Sequence, residues 1–150
     1  MDLVHKIEIW GDTHHPKLLD VVRVALGVFL FLKGVAFMEN TADLKGIIEA
    51  QDSIVFPASA LMILVYYVTF IHMVGGVMIA FGLLTRVTCL MQIPIVIGAV
   101  IMNDVLISPI NTQLWLSVIT LVLLFVFMIL GSGPLSLDKY LQYQSIEDED

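Results

Sequence analysis

The sequence predicts an all-α membrane protein, a bundle of four transmembrane helices. Three observations carry that expectation. The chain is 59% hydrophobic and only 14% charged, against about 45–50% and about 25% in soluble domains. Its apolar residues gather into four long runs. None of those runs alternates polar with apolar positions, as spanning β-strands do, so each reads as a helix. A chain of 150 residues could not bury that much apolar side chain in a soluble core, because a small domain leaves much of its surface wet.

Residues 1–17 read as a cytoplasmic N-terminal segment. They lack the basic-then-apolar layout and small-residue cleavage site of a secretory signal, so the first run should act as an uncleaved anchor. That run, at about 18–38, contains Arg23 and Lys33. An outer loop at 39–55 follows. Its Leu44, Ile47 and Ile48 have helical spacing, and it is either a short amphipathic helix on the interface or a partly ordered polar loop. The second helix, at 56–84, comfortably exceeds the length of about 20 residues (range about 17–25) that a span needs. The third, 87–102, carries Gln92 and Pro94, and the fourth, 114–130, has no charge. Both stand at the short end of that range.

"LLTRV" leaves so little chain between the second and third helices that they must form an antiparallel hairpin. Gly131, Gly133 and Pro134 stop the fourth helix. The transmembrane domain therefore spans 18–131, and 132–150 forms a cytoplasmic acidic tail. A short interfacial segment with Tyr140 and Tyr143 is expected in it. The closing "SIEDED" is a solvated end or an interaction tail.

Cations set the orientation. Lys6, Lys17, Arg86 and Lys139 fall in segments that share a side if there are four crossings. The opposite loops hold Lys45 among Glu39, Asp43, Glu49 and Asp52, then Asn103 and Asp104 without a cation. Lys and Arg concentrate on the cytoplasmic side, which puts both termini in the cytoplasm. With only seven Lys and Arg residues the chain is a poor phosphate binder, so no nucleic-acid partner is expected. The one cysteine, Cys89, excludes an intramolecular disulfide and the relay of a thiol oxidoreductase, and reads as a small buried hydrophobe.

Ionisable groups inside a membrane normally face the bundle interior with a partner. Counted from Lys17, Arg23 lies about 9 Å deep and Lys33 about 24 Å; counted from Arg86, Gln92 lies about 9 Å deep and His72 about 21 Å. Arg23 and Gln92 would then share an inner polar layer, and Lys33 and His72 an outer one. On helical wheels, Gly27 and Gly34 fall within about 40° of Arg23, as Gly76 does of His72, with Gly75 within about 60°. Small residues mark close helix contact in membranes, so both ionisable groups sit on packing faces.

His72 is either a neutral ring clamping helices together or a proton-accepting or ligand-contacting group. Arg23 is either a snorkelling anchor or, with Lys33, His72 and Gln92, the lining of a cavity for an anionic or quinone-like head group. His5, His14 and His15 lie far from His72 by depth, so neither a metal site nor a bis-histidine haem is expected. No nucleophile–base pair, phosphate loop or acid pair occurs, which leaves hydrolytic and phosphoryl chemistry without support.

"RVALGVFLFLKGVAF" (23–37) resembles the first helix of DoxX-like proteins. "HMVGGVMIAFGLLTRVTCLMQIPIVIGAV" (72–100) resembles that family's most telling segment, an acid or His before Gly-Gly and then Gly-Leu-Leu-Thr-Arg. The resemblance implies a compact four-helix bundle of the bacterial cytoplasmic (inner) membrane. It also implies one of two roles. The first is a non-catalytic accessory subunit or assembly partner in a membrane complex, not an enzyme on its own. The second is a quinone-binding subunit of a redox system, similar to thiosulfate:quinone oxidoreductase or linked to oxidative stress. Many members carry Glu where this chain has His72, and often His where it has Lys33, which keeps a paired ionisable layer but reverses its charge. A proton-coupled carrier is a weaker third reading, because no broken-helix repeat is visible. The expected partners are the lipid bilayer, a redox enzyme or other membrane protein, and a second copy of the chain through the Gly-lined faces.

Overall fold

The computed structural model describes residues 17–42, 46, 57–101 and 114–147. The expectations for His5, His14 and His15, for the outer stretch 44–48, and for Asn103 and Asp104 lie outside the described residues. Five helices are seen: α1 (Lys17–Glu39), α2 (Ala58–Phe81), α3 (Thr85–Ile101), α4 (Leu114–Leu130) and α5 (Leu137–Glu147). No strand occurs among the described residues. Stretches Leu18–Glu39 and Met62–Phe81 are long and apolar enough to cross a membrane. α3 and α4 are also apolar but shorter, with 17 residues each.

Helix ends follow from local chemistry. Pro57 precedes α2 in an extended conformation, where its missing N–H costs nothing. Gly82 ends α2 in the left-handed region at φ 70°. Its N–H donates to the Ile79 carbonyl at 3.1 Å, and the Leu83 N–H to that of Met78 at 2.8 Å. This is a Schellman stop, which favours glycine because it has no Cβ to clash. The apolar run continues to Leu84, but the helix stops at Phe81. Leu84 then takes φ 46°, an uncommon backbone for a residue with a side chain, before its carbonyl accepts the first α3 bond, from Thr88 N.

α1 and α2 make the closest pairing in the bundle. A Cβ built on Gly27 would stand 2.5 Å from the Ala80 nitrogen and the Gly76 oxygen, and one on Gly76 would stand 2.6 Å from the Phe31 nitrogen. The two backbones touch, with Gly27 and Gly76 facing each other. α3 packs on α2, α4 on α3, and α4 meets α1 lightly. All four helices feed one core of Leu26, Leu30, Ile79, Cys89, Ile93, Val96, Leu124 and Phe127. The outer surface is apolar as well: Val21, Val28, Ile63, Phe70, Val87 and Val122 are all exposed. Exposed apolar area of that extent marks a membrane or protein contact surface.

Two glycine substitutions separate packing from propensity. Gly27→Ala should cost about 1–3 kcal/mol through overpacking, because its Cβ meets backbone that cannot swing aside. At Gly98 an added Cβ meets nothing within 4 Å, so Gly98→Ala should gain up to about 1 kcal/mol of helix propensity. Thermal unfolding of both variants in one detergent reads the opposite signs.

Candidate functional site

At the end of the bundle that carries the α2–α3 turn, three segments meet at Arg23: α1 itself, the turn, and the stretch after α4. Its guanidinium donates from Nη1 to Asp20 Oδ1 at 3.0 Å, one helical turn earlier. From Nη2 it donates to the Leu135 carbonyl at 2.9 Å, across 112 residues of sequence. The side chain is buried, with the residue only 1% exposed, so Arg23 does not snorkel. Gly82 makes room for it, since a Cβ there would stand 3.0 Å from Arg23 Cζ and 2.6 Å from Ser136 Cβ.

The segment after α4 is built to reach that spot. Gly131 and Gly133 adopt positive φ values of 85° and 73°, which turns the chain back under the bundle. Ser136 accepts the Lys139 N–H at 3.3 Å as the N-cap of α5 and donates to the Gly133 carbonyl at 2.7 Å. Asp138 then holds the turn from two sides. Its N–H donates to the Gly82 carbonyl at 3.2 Å, and its Oδ1 accepts the Leu84 N–H at 3.0 Å. The strained Leu84 is thus fixed by a carboxylate from the far end of the chain. Arg86 lies against the end of α4, with Nη2 3.5 Å from the Ile129 carbonyl, where a cation suits the helix dipole.

About 15 Å further into the bundle, at about 1.5 Å rise per residue, each helix contributes one polar residue. Lys33 is ten residues from Arg23, His72 ten from Gly82, and Thr120 ten from Leu130. Gln92 joins them from α3. It is fully buried, and its Nε2 donates to the Ile71 carbonyl at 3.0 Å. That bond requires Gly75, where a Cβ would stand 2.7 Å from Gln92 Nε2. The adjacent glycines therefore serve different neighbours: Gly76 admits the backbone of α1, and Gly75 admits the amide of α3.

His72 is 6% exposed, with its Cβ 3.1 Å from the position a Gly34 Cβ would take. Phe37 meets the ring edge-on, centroids 5.9 Å apart at 79°. Lys33 is half-buried, with Nζ 5.7 Å from the centre of the Phe29 ring. Thr120 bonds the Leu116 carbonyl of its own helix at 2.8 Å. His72 Nδ1 and Gln92 Oε1 are buried with no hydrogen-bond partner, as are Thr85 Oγ1, Asp20 Oδ2 and Arg23 Nε.

The arrangement regroups the sequence candidates. Gln92 stands beside His72, not in a layer with Arg23. Depth counted from Arg86 misplaces both, because the turn lies at 82–84. Moving the origin by three residues shifts α2 and α3 by about 4.5 Å in opposite directions, which narrows the gap from about 12 Å to about 3 Å. Arg23 forms a separate centre at the turn end. Sequence reading missed Asp20, Ser136, Asp138 and the Leu135 carbonyl. Asp20 was detectable as an acid three residues before Arg23, a spacing that pairs side chains on a helix. Nothing local could mark the Leu135 carbonyl. Among the described residues, no group of three His, Cys, Asp or Glu side chains is placed to hold a metal ion.

An apolar exterior around helices joined by buried polar bonds defines a helical integral membrane protein. The DoxX family model matches residues 18–104, and the chain belongs to the DoxX family. No curated protein and no solved structure matches it. The matched stretch holds α1 to α3, while the segment that closes on Arg23 lies beyond it.

Removing one partner of a buried ion pair strands the other, at a cost of about 3–5 kcal/mol. Arg23→Ala should lose that much in detergent unfolding. The double variant Asp20→Leu/Arg23→Met should lose clearly less, since it leaves no buried charge unpaired. Equal losses in the two would show that the pair itself is not what Arg23 supplies.

Proposed function

We propose that this DoxX-family protein is a non-catalytic accessory subunit of a membrane complex. In this reading it crosses the bacterial cytoplasmic membrane four times with both termini inside. The observation that carries the proposal is where the buried polar side chains go. Arg23 and Gln92, the two most deeply buried of the four candidates, are engaged in bonds between segments of the bundle. Polar groups used that way hold helices together. The four-crossing topology is supported by the placement of Arg86 and Lys139 at the same end of the bundle, in line with the bias of cations toward the cytoplasm. A reporter fused after Asp150 should therefore fluoresce as a green fluorescent protein and stay inactive as an alkaline phosphatase. The reverse pattern would overturn the orientation. Gentle affinity purification from native membranes should retain another membrane protein in fixed ratio, and recovery of the chain with phospholipid alone would count against an accessory role.

One observation favours a second reading, a quinone-binding redox subunit. His72 has an unpartnered, buried Nδ1 and lies with its Cβ beside Gly34, one residue along α1 from Lys33, and a ring nitrogen near an amine suits a quinone carbonyl. Gln92 adds an amide at the same level, and Arg23 belongs to the scaffold in either reading. Decylubiquinone should then raise the melting temperature of the wild type and leave that of His72→Ala unchanged. An equal shift in both would remove His72 as a contact, and no shift in the wild type would end the quinone reading.

A further inference from the structure

α5 is inside out for a helix in water. Among its described side chains the exposed ones are Leu137, Tyr140, Leu141 and Gln144, which share one face, while the charged Asp138 and Lys139 are half-buried, Asp138 against the α2–α3 turn. Tyr140 is 59% and Leu141 52% exposed, and Leu135, just before the helix, is 65% exposed. A solvated surface helix carries the opposite pattern, with polar residues outward. Among the described residues, α5 packs along none of the other four helices.

The position of the face is fixed. Leu135 is held by Arg23, and Asp138 by Gly82 and Leu84, so α5 begins at the rim of the bundle. Leu84 and Val87, exposed beside that rim, make the apolar surface of α3 continuous with the start of α5. We propose that α5 lies in the interfacial layer of the bilayer, with Leu137, Tyr140 and Leu141 turned into the boundary between headgroups and acyl chains. Tyrosine suits that boundary, because its ring is apolar and its hydroxyl polar; here the hydroxyl accepts a bond from Gln144 at 3.3 Å. Charge does not hold the helix down. Lys139 is the only cation in its sequence, and residues 147–150 are all acidic. The attachment is therefore apolar, and it does not require anionic lipid.

The proposal rests on the membrane embedding of the bundle and on neither reading of the polar layer. Spin labels at Leu141→Cys and Phe70→Cys test it, each in a Cys89→Ala background and in phosphatidylcholine nanodiscs. Phe70 is exposed on α2 and reports on the embedding itself. Oxygen, which concentrates in lipid, should collide with both labels several-fold more than a water-soluble nickel chelate does. A lipid signal at 70 with nickel collisions at 141 would overturn the interfacial helix alone. Nickel collisions at both sites would overturn the embedding. A label at 141 shielded from both reagents would mean that protein, not lipid, covers the face, and would also overturn the proposal.

Discussion

The buried guanidinium of Arg23 is the constraint on which the rest of this bundle depends. A charge that deep must be surrounded by acceptors, because neither water nor lipid supplies them there. The acceptors come from two places in the sequence, Asp20 on the same helix and the Leu135 carbonyl after α4, and Gly82 leaves the space in which the guanidinium reaches them. Meeting the needs of one side chain therefore fixes how α1, the α2–α3 turn and the C-terminal segment sit together. Once Leu135 is held, Ser136 and Asp138 fall where they cap α5 and restrain Leu84.

Glycine does the complementary work further in. Lipid gives helices little hydrophobic reason to associate, so close backbone approach and interhelical hydrogen bonds must hold them. Gly27 and Gly76 provide the approach between α1 and α2, and Gly75 provides the bond between α2 and α3 by letting Gln92 reach a backbone carbonyl. Two adjacent residues, about 100° apart on the helix, thus join α2 to both of its neighbours. The left-handed Gly82 then ends the helix where Arg23 needs room.

Much of this could be read in the sequence, for a physical reason. Apolar runs report helices because the bilayer admits only backbone that satisfies itself. The faces of Gly27, Gly34 and His72 followed from helical periodicity alone. What escaped was whatever depended on contacts between distant segments. The "GSGPLSLD" stretch reads locally as a helix stop, and its second role exists only once Arg23 is beside it. Depth along a hairpin escaped too, because an error in placing the turn moves its two helices in opposite directions. The two roles of Gly75 and Gly76 became visible only with both neighbouring helices in place.

The polar layer poses the remaining question in energetic terms. Leaving a buried polar atom unpaired costs about 1–3 kcal/mol, and an apolar side chain at position 72 would avoid that cost while filling the same space. The residue is also held in place, its ring against Phe37 and its Cβ beside Gly34, both on α1. The α1–α2 approach that makes the bundle compact therefore also positions the His72 ring. A group that bonds to it meets a nitrogen already oriented and desolvated, so little ordering is left to oppose binding. Gln92, engaged through its amide nitrogen, keeps a second unpaired acceptor at the same depth. Packing accounts for how these two atoms are held. It does not account for why they are polar, and that difference separates a scaffold from a binding site in this fold.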